Sequence, residues 1–254
     1  MATPPARSAA GFTNHEPADP LGQFGVLDPF KYTVWYTDFH LPEGVTAATG
    51  TGWTVTEDGS PTVGLTDAAG GVMALTDGGT DTHKLWIQKI GESFLWATTK
   101  KLAILAKFKI SDATQMGFVL GLQKTDTSPL DVTDGIFFIK ADGSTTLEAR
   151  VEKGDVGVAA TVATMAADTY VEVAIVYQGK PRRVQGATNV NYYDFELYLK
   201  SSGIWRQVGT VSADNVTDNA PNTEELTVSF GHVNGDGTGA KTSSYDYMLF
   251  CVER

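Results

Sequence analysis

From residue 31 onward, apolar and polar side chains alternate with period two, the spacing of strands that bury one face. Leu102, Ile104, Ala106, Phe108 and Ile110 share one parity, and Lys101, Lys107 and Lys109 share the other. Met116, Phe118, Leu120 and Leu122 keep the apolar parity after residues 111–114, so the two runs are expected to form a hairpin. Residues 136–139 lead into 147–151 across Asp142-Gly143, a dipeptide that tolerates the positive φ of a tight turn, which predicts a second hairpin. Asp-Gly recurs at 58, 77, 134 and 236, so the strands are short and numerous. Residues 156–167 read as a strand from Val156, Val158, Thr161, Val162 and Thr164.

The last third carries strand patterns at 170–177, 192–200, 225–230 and 245–252, with no helical period between them. In 192–200 the inward positions are Tyr193, Phe195, Leu197 and Leu199, while Asp194, Glu196 and Lys200 point outward. Ser201-Ser202-Gly203 then turns the chain into Ile204, Trp205 and Val208. The final run is apolar on both parities and predicts a strand in the middle of a sheet. Strands in such a series pair antiparallel in layered sheets, so the fold class is all-β.

Residues 1–29 break the pattern. Pro4, Pro5, Pro17, Pro20 and Pro29 are half of the 10 prolines in the chain, a spacing that excludes helix and ladder pairing. Phe12, Leu21, Phe24, Val26 and Leu27, with Phe30 at the boundary, are apolar side chains that a solvated linker has little reason to carry. Residues 1–29 are therefore read as an extended arm that packs on a partner, and 30–254 as one sandwich domain.

With 254 residues and 42% hydrophobic content the chain can build one large core. A net charge of −11 disfavours nucleic acid and anionic membrane as partners. Cys251, the single cysteine, excludes an intrachain disulfide and reads as a small buried hydrophobe. Residues 1–10 lack the apolar core of a signal peptide, so synthesis without signal-dependent export is expected.

Chemical signatures are sparse. His15, His40, His83 and His232 have no metal-ligand spacing and read as turn or surface residues. The glycine-rich stretch 234–239 follows a strand and precedes another, without the helix start a phosphate site needs, and Asp236 there lacks companion acids for calcium. Neither a metal nor a cofactor is assigned. Asp194 and Glu196 share one strand face at about 7 Å, a spacing that glycoside hydrolysis can use, and Glu172, outward on its own strand, could join them. Of the five tryptophans, Trp53 follows the loop 47–52 and is the candidate for stacking on a glycan.

The order of parts, carried by 102–122, by 169–177 followed by 193–200 and a short turn, and by 244–250, resembles the laminin-G-like branch of the concanavalin A-like jelly rolls over residues 45–254. That resemblance implies a two-sheet antiparallel sandwich. Jelly-roll glucanases in the family carry Glu-x-Asp-x-x-Glu on one strand; here Asp194-Phe195-Glu196 supplies two acids, and Tyr198 and Leu199 stand where the third belongs. A non-enzymatic role is therefore expected. Together with the arm, the chain is similar to jelly-roll proteins of tailed-bacteriophage heads. The resemblance implies a capsid decoration protein that is made in the host cytoplasm, sits on the virion surface, contacts capsid subunits and forms a homo-oligomer on the particle. The alternatives are a lectin-like module using Trp53 and a jelly-roll glycoside hydrolase.

Overall fold

The computed structural model describes residues 19–22, 28, 30–39, 52–66, 71–183 and 190–254. Phe12, Phe24, Val26 and Leu27 of the expected arm, and His15 and His40, lie outside the described residues. The alternating segments become strands β1 (Tyr32–Thr37), β2 (Trp53–Glu57), β3 (Thr62–Thr66), β4 (Val72–Thr76), β5 (Lys84–Lys89) and β6 (Phe94–Leu95). The long pair β7 (Lys101–Ile110) and β8 (Met116–Gln123) follows, then β9 (Gly135–Lys140), β10 (Thr146–Lys153), β11 (Val156–Thr164) and β12 (Val171–Gln178). The chain closes with β13 (Arg182–Arg183), β14 (Asn191–Ser201), β15 (Ile204–Asp214), β16 (Glu225–Asn234) and β17 (Thr242–Glu253).

All of these strands pair antiparallel, in two sheets that form a jelly-roll sandwich. The 9-stranded sheet runs β13-β14-β12-β7-β17-β4-β3, with β15 on β14 and β1 on β17. The 8-stranded sheet runs β11-β10-β9-β8-β16-β5-β2, with β6 on β16. The β9–β10 hairpin forms as the Asp142-Gly143 turn predicts, pairing Ile136 with Val151. β14 and β15 join around Ser202 and Gly203, and β17 lies centrally, paired with β7, β4 and β1.

One expected hairpin is absent. β7 pairs with β12 and β17, whereas β8 pairs with β9 and β16. Residues 111–115 carry the chain from one sheet to the other. Parity survives the crossing because both inner faces point at the same core, so alternation alone cannot separate a hairpin from a crossover.

That core holds Trp96, whose ring packs against Tyr177 (5.1 Å), Phe195 (5.3 Å) and Tyr193 (5.9 Å). The Trp96 indole N–H donates to the Lys100 carbonyl at 3.1 Å, so the buried ring keeps a polar partner. Phe108 of β7 stacks on Phe118 of β8 at 4.5 Å, tying the sheets together. Burying one such side chain contributes about 1.5–3 kcal/mol. Cys251 is buried as expected, and that burial pushes its thiol up to about 12.

A second apolar layer covers the outer face of the 9-stranded sheet. Ala103, Leu105, Ala174, Val176, Tyr198, Leu249 and Cys251 form it, and Leu21 and Tyr32 pack on it. This corrects the expectation for Leu21: it is only 4% exposed and is buried in the apolar cluster on the outer face of its own sheet. Phe30, at the other end of the expected arm set, is 88% exposed.

Candidate binding groove

β17 changes its inward parity midway. Ser243 and Tyr245 face the core, and a register shift between Tyr245 and Tyr247 leaves Asp246 without a partner in the β7–β17 ladder. Met248, Phe250 and Val252 then take the inward positions, and Tyr247, Leu249 and Cys251 turn to the outer face. The bulge aims Tyr247 outward; in an unbroken strand it would share the face of Tyr245.

Across the strands, Tyr247 opposes Lys107 and Lys107 opposes Glu172. On the far side Lys200 opposes Trp205. The Lys200 ammonium donates to the Glu172 carboxylate at 2.7 Å, and the Tyr247 hydroxyl donates to it at 3.2 Å. The result is a cross-strand row Tyr247, Lys107, Glu172, Lys200, Trp205, aromatic at both ends and charged in the middle. Lys107 also pairs with Asp246, the bulged residue, which holds the ammonium above the usual lysine range. Burial together with Glu172 holds the Tyr247 phenol far above its ordinary range, so it is a permanent donor at physiological pH. The Lys200 ammonium lies 5.5 Å from the centre of the Trp205 ring. The adjacent row runs Tyr36, Leu249, Leu105, Ala174, Tyr198. Between these rows and Asp19-Pro20-Leu21 lies a groove of about 500 Å³, floored by Leu105 and Leu249 and walled by Tyr36, Tyr247, Trp205 and Lys200.

The three carboxylates read as candidate acids all reach this outer face, each with partners of its own. Asp194 accepts from Arg182 Nη2 at 3.0 Å and from the Ser212 hydroxyl at 2.6 Å. Arg182, the larger cause, holds that carboxyl below its usual range, the opposite of what a general acid needs. Glu196 accepts from Tyr198 at 2.7 Å and Gln178 at 3.2 Å, and Glu172 is held as described.

Trp53 is not an exposed platform. It is 7% exposed and packs edge-on against Trp35 at 5.5 Å and Phe230 at 5.8 Å, inside the sandwich, where no sugar can stack on it. It opens β2 on the inward parity, which the glycines and threonines before it in the sequence do not reveal. The half-buried Trp205 is the tryptophan that faces the groove. Its signal was present: it faces Lys200 across the Ser201-Ser202-Gly203 turn, and Lys200 already lay on the outward parity.

The loop end of the sandwich holds two further corrections. His232 is fully buried, not a turn or surface residue: Nδ1 lies 2.8 Å from the Ser243 hydroxyl, and Nε2 lies 3.2 Å from the Lys241 carbonyl and 3.5 Å from Asp77. Ser243, His232 and Asp77 follow the order of a nucleophile, a base and an orienting acid, yet all three are sealed in the core and no substrate can reach them. Asp236 is bound by the Lys241 ammonium at 3.1 Å. Among the described residues no group of three or more His, Cys, Asp or Glu side chains could hold a metal ion, and no helix is long and apolar enough to cross a membrane.

These features define a fold, the two-sheet antiparallel jelly-roll sandwich. No family model matches the chain, and no curated protein matches it in sequence. Solved structures share the fold at low identity. A protein of unknown function from Shewanella oneidensis MR-1 is similar with a TM-score of 0.56 and 12% identity over 88% of this chain and 87% of that one. The endo-1,3-beta-glucanase of Streptomyces sioyaensis has a TM-score of 0.54 at 11% identity, covering 89% and 98% of the two chains. The carbohydrate recognition domain of Emp47p has a TM-score of 0.51 at 14% identity, covering 88% and 97%.

Proposed function

We propose that the protein is a non-enzymatic structural protein of a tailed-bacteriophage virion, a decoration protein that attaches to the capsid surface through its N-terminal side and stabilises the shell. The observation that carries this reading is the apolar row at the start of the sandwich. Phe30 is 88% exposed, and Val34 and Tyr36 are exposed on the same outward parity of β1. Beside it, Leu21 packs on the sheet. An exposed apolar row following a proline-spaced segment suits docking on another protein. Repetition at symmetric capsid sites makes a modest single contact sufficient, and the net charge of −11 keeps decorated particles apart in solution. The test is co-sedimentation with capsids stripped of the protein. Phe30→Ala/Tyr36→Ala should fold and fail to pellet with particles; pelleting equal to the intact chain would sink this reading.

The groove favours a second reading, a carbohydrate-binding module. Trp205 and Tyr247 flank a fixed Lys200–Glu172 pair, and aromatic faces around oriented polar groups suit a sugar ring. Glycan-array binding that is abolished by Trp205→Ala and kept by Phe30→Ala would favour this reading over the first.

A further inference from the structure

The outer face of the 9-stranded sheet carries a short proline-bearing turn of this chain beside the open groove. Asp19-Pro20-Leu21-Gly22 is closed by the Gly22 N–H, which donates to the Asp19 carbonyl at 2.9 Å, and Pro20 and Leu21 are both buried. Leu21 packs in one apolar cluster with Leu105 and Leu249. The same two leucines floor the groove, and Pro20 and Leu21 form one of its walls. The surface therefore takes a proline and its apolar neighbour side by side, and the groove extends that surface.

The far wall is aromatic at both ends. Tyr247 of β17 and Trp205 of β15 are separated by β7, β12 and β14, four inter-strand steps or about 19 Å. Tyr36 of β1 joins Tyr247 at its end. An aliphatic floor between aromatic ends at this separation matches two turns of a polyproline II helix, about six residues at about 3.1 Å each. The groove runs across the strands, so such a segment would dock through side chains and carbonyls and not by adding a strand.

The polar groups on the walls discriminate between a peptide and a sugar. The Trp205 indole N–H and the Tyr36 hydroxyl have no hydrogen-bond partner among the described residues, and the Lys200 ammonium has N–H groups beyond the one it gives to Glu172. Asp19 is the one carboxylate that lines the groove, whereas Glu172 Oε2 is engaged by Lys200 and Tyr247. Donors outnumber acceptors. Main-chain carbonyls of a segment whose prolines bring no N–H suit that balance, and sugar hydroxyls, each of which brings a donor of its own, suit it less well. The Asp19 carboxylate has no ion pair among the described residues, and on a chain of net charge −11 it favours a basic side chain at its end of the groove.

We infer that this groove is a docking site for an extended, proline-containing segment of a partner protein that carries a Lys or Arg beside its prolines. The inference goes beyond the attachment reading, which turns on Phe30 and β1, and it gives the groove a peptide where the second reading gives it a sugar.

The test is fluorescence polarisation of a labelled dodecapeptide with proline at every third position and arginine at one end, titrated with the full chain. The intact chain should saturate the signal. Replacing the prolines of the peptide with alanine, or its arginine with glutamate, should weaken binding about tenfold or more. Trp205→Ala should do the same, Trp205→Phe, which keeps a ring and loses the N–H, should fall between, and Phe30→Ala should bind as the intact chain does, so this inference and the attachment reading fail separately. If Trp205→Ala does not fold by circular dichroism, Tyr36→Ala, a change at an exposed side chain, tests the same groove. Absence of binding at millimolar chain, equal binding of the alanine peptide, a folded Trp205→Ala or Tyr36→Ala that binds as the intact chain does, or displacement of the peptide by cellohexaose or laminarihexaose would overturn it.

Discussion

Lys140 has a titration opposite to that of most lysines. Burial, the dominant cause, lowers it from 10.5 to about 8, with Asp142 and Asp112 opposing the shift. Below about 8 the group is charged in both folded and unfolded chains, and its effect on stability is constant. Between about 8 and 10.5 the unfolded chain binds the proton more tightly, so this residue makes the fold more stable as pH rises, by at most about 1.4 kcal/mol per unit. Lys140→Met removes the titration at similar side-chain length. The gap in urea midpoint between the intact protein and this variant should shift in favour of the intact protein across that window; parallel pH curves would contradict the assignment. Gly231 is a second residue that the fold dictates. Its φ is +149°, and a Cβ there would lie 2.1 Å from the Leu85 carbonyl oxygen on the paired strand. Gly231→Ala should destabilise by about 3 kcal/mol, read by urea denaturation. Neither residue was legible from alternation. The pattern identifies which positions face inward, but whether a buried lysine finds carbonyls depends on connections remote in sequence.

At the scale of elements, the strands were largely legible, because hydrophobic periodicity is local. Their partners were not. Nothing in 102–122 distinguishes a turn within one sheet from a crossing between two, and only the pairing of β7 with β17 and of β8 with β16 decides it. The bulge at Asp246 was visible only as apolar character on both parities, although it is what delivers Tyr247 to the groove. The segment at 19–22 shows the same limit. Its apolar side chain was readable as one that must be covered, and the covering surface turned out to be the chain's own sheet. Leu21→Ala should therefore cost about 2–3 kcal/mol in chemical denaturation. An unchanged midpoint would mean that Leu21 is covered by something other than this sheet.

For the whole molecule, His232, Lys140 and Lys241 are buried polar groups between the sheets, and Phe30, Val34 and Tyr36 are exposed apolar side chains on the β1 side. The β1 side supports the reading of a protein that docks on a larger one. The candidate groove was half legible: the outward parity of Glu172, Glu196 and Lys200 was readable, whereas Trp205, Tyr247 and Tyr36 converge only once β1, β17 and β15 lie in one sheet. The most direct test of the attachment reading is cryo-electron microscopy of stripped tailed-phage particles incubated with the intact chain. The account predicts added density at symmetric positions on the shell, with Phe30 and β1 turned toward the capsid. Bare shells at saturating protein, or density contacting the shell only through the opposite face, would contradict it.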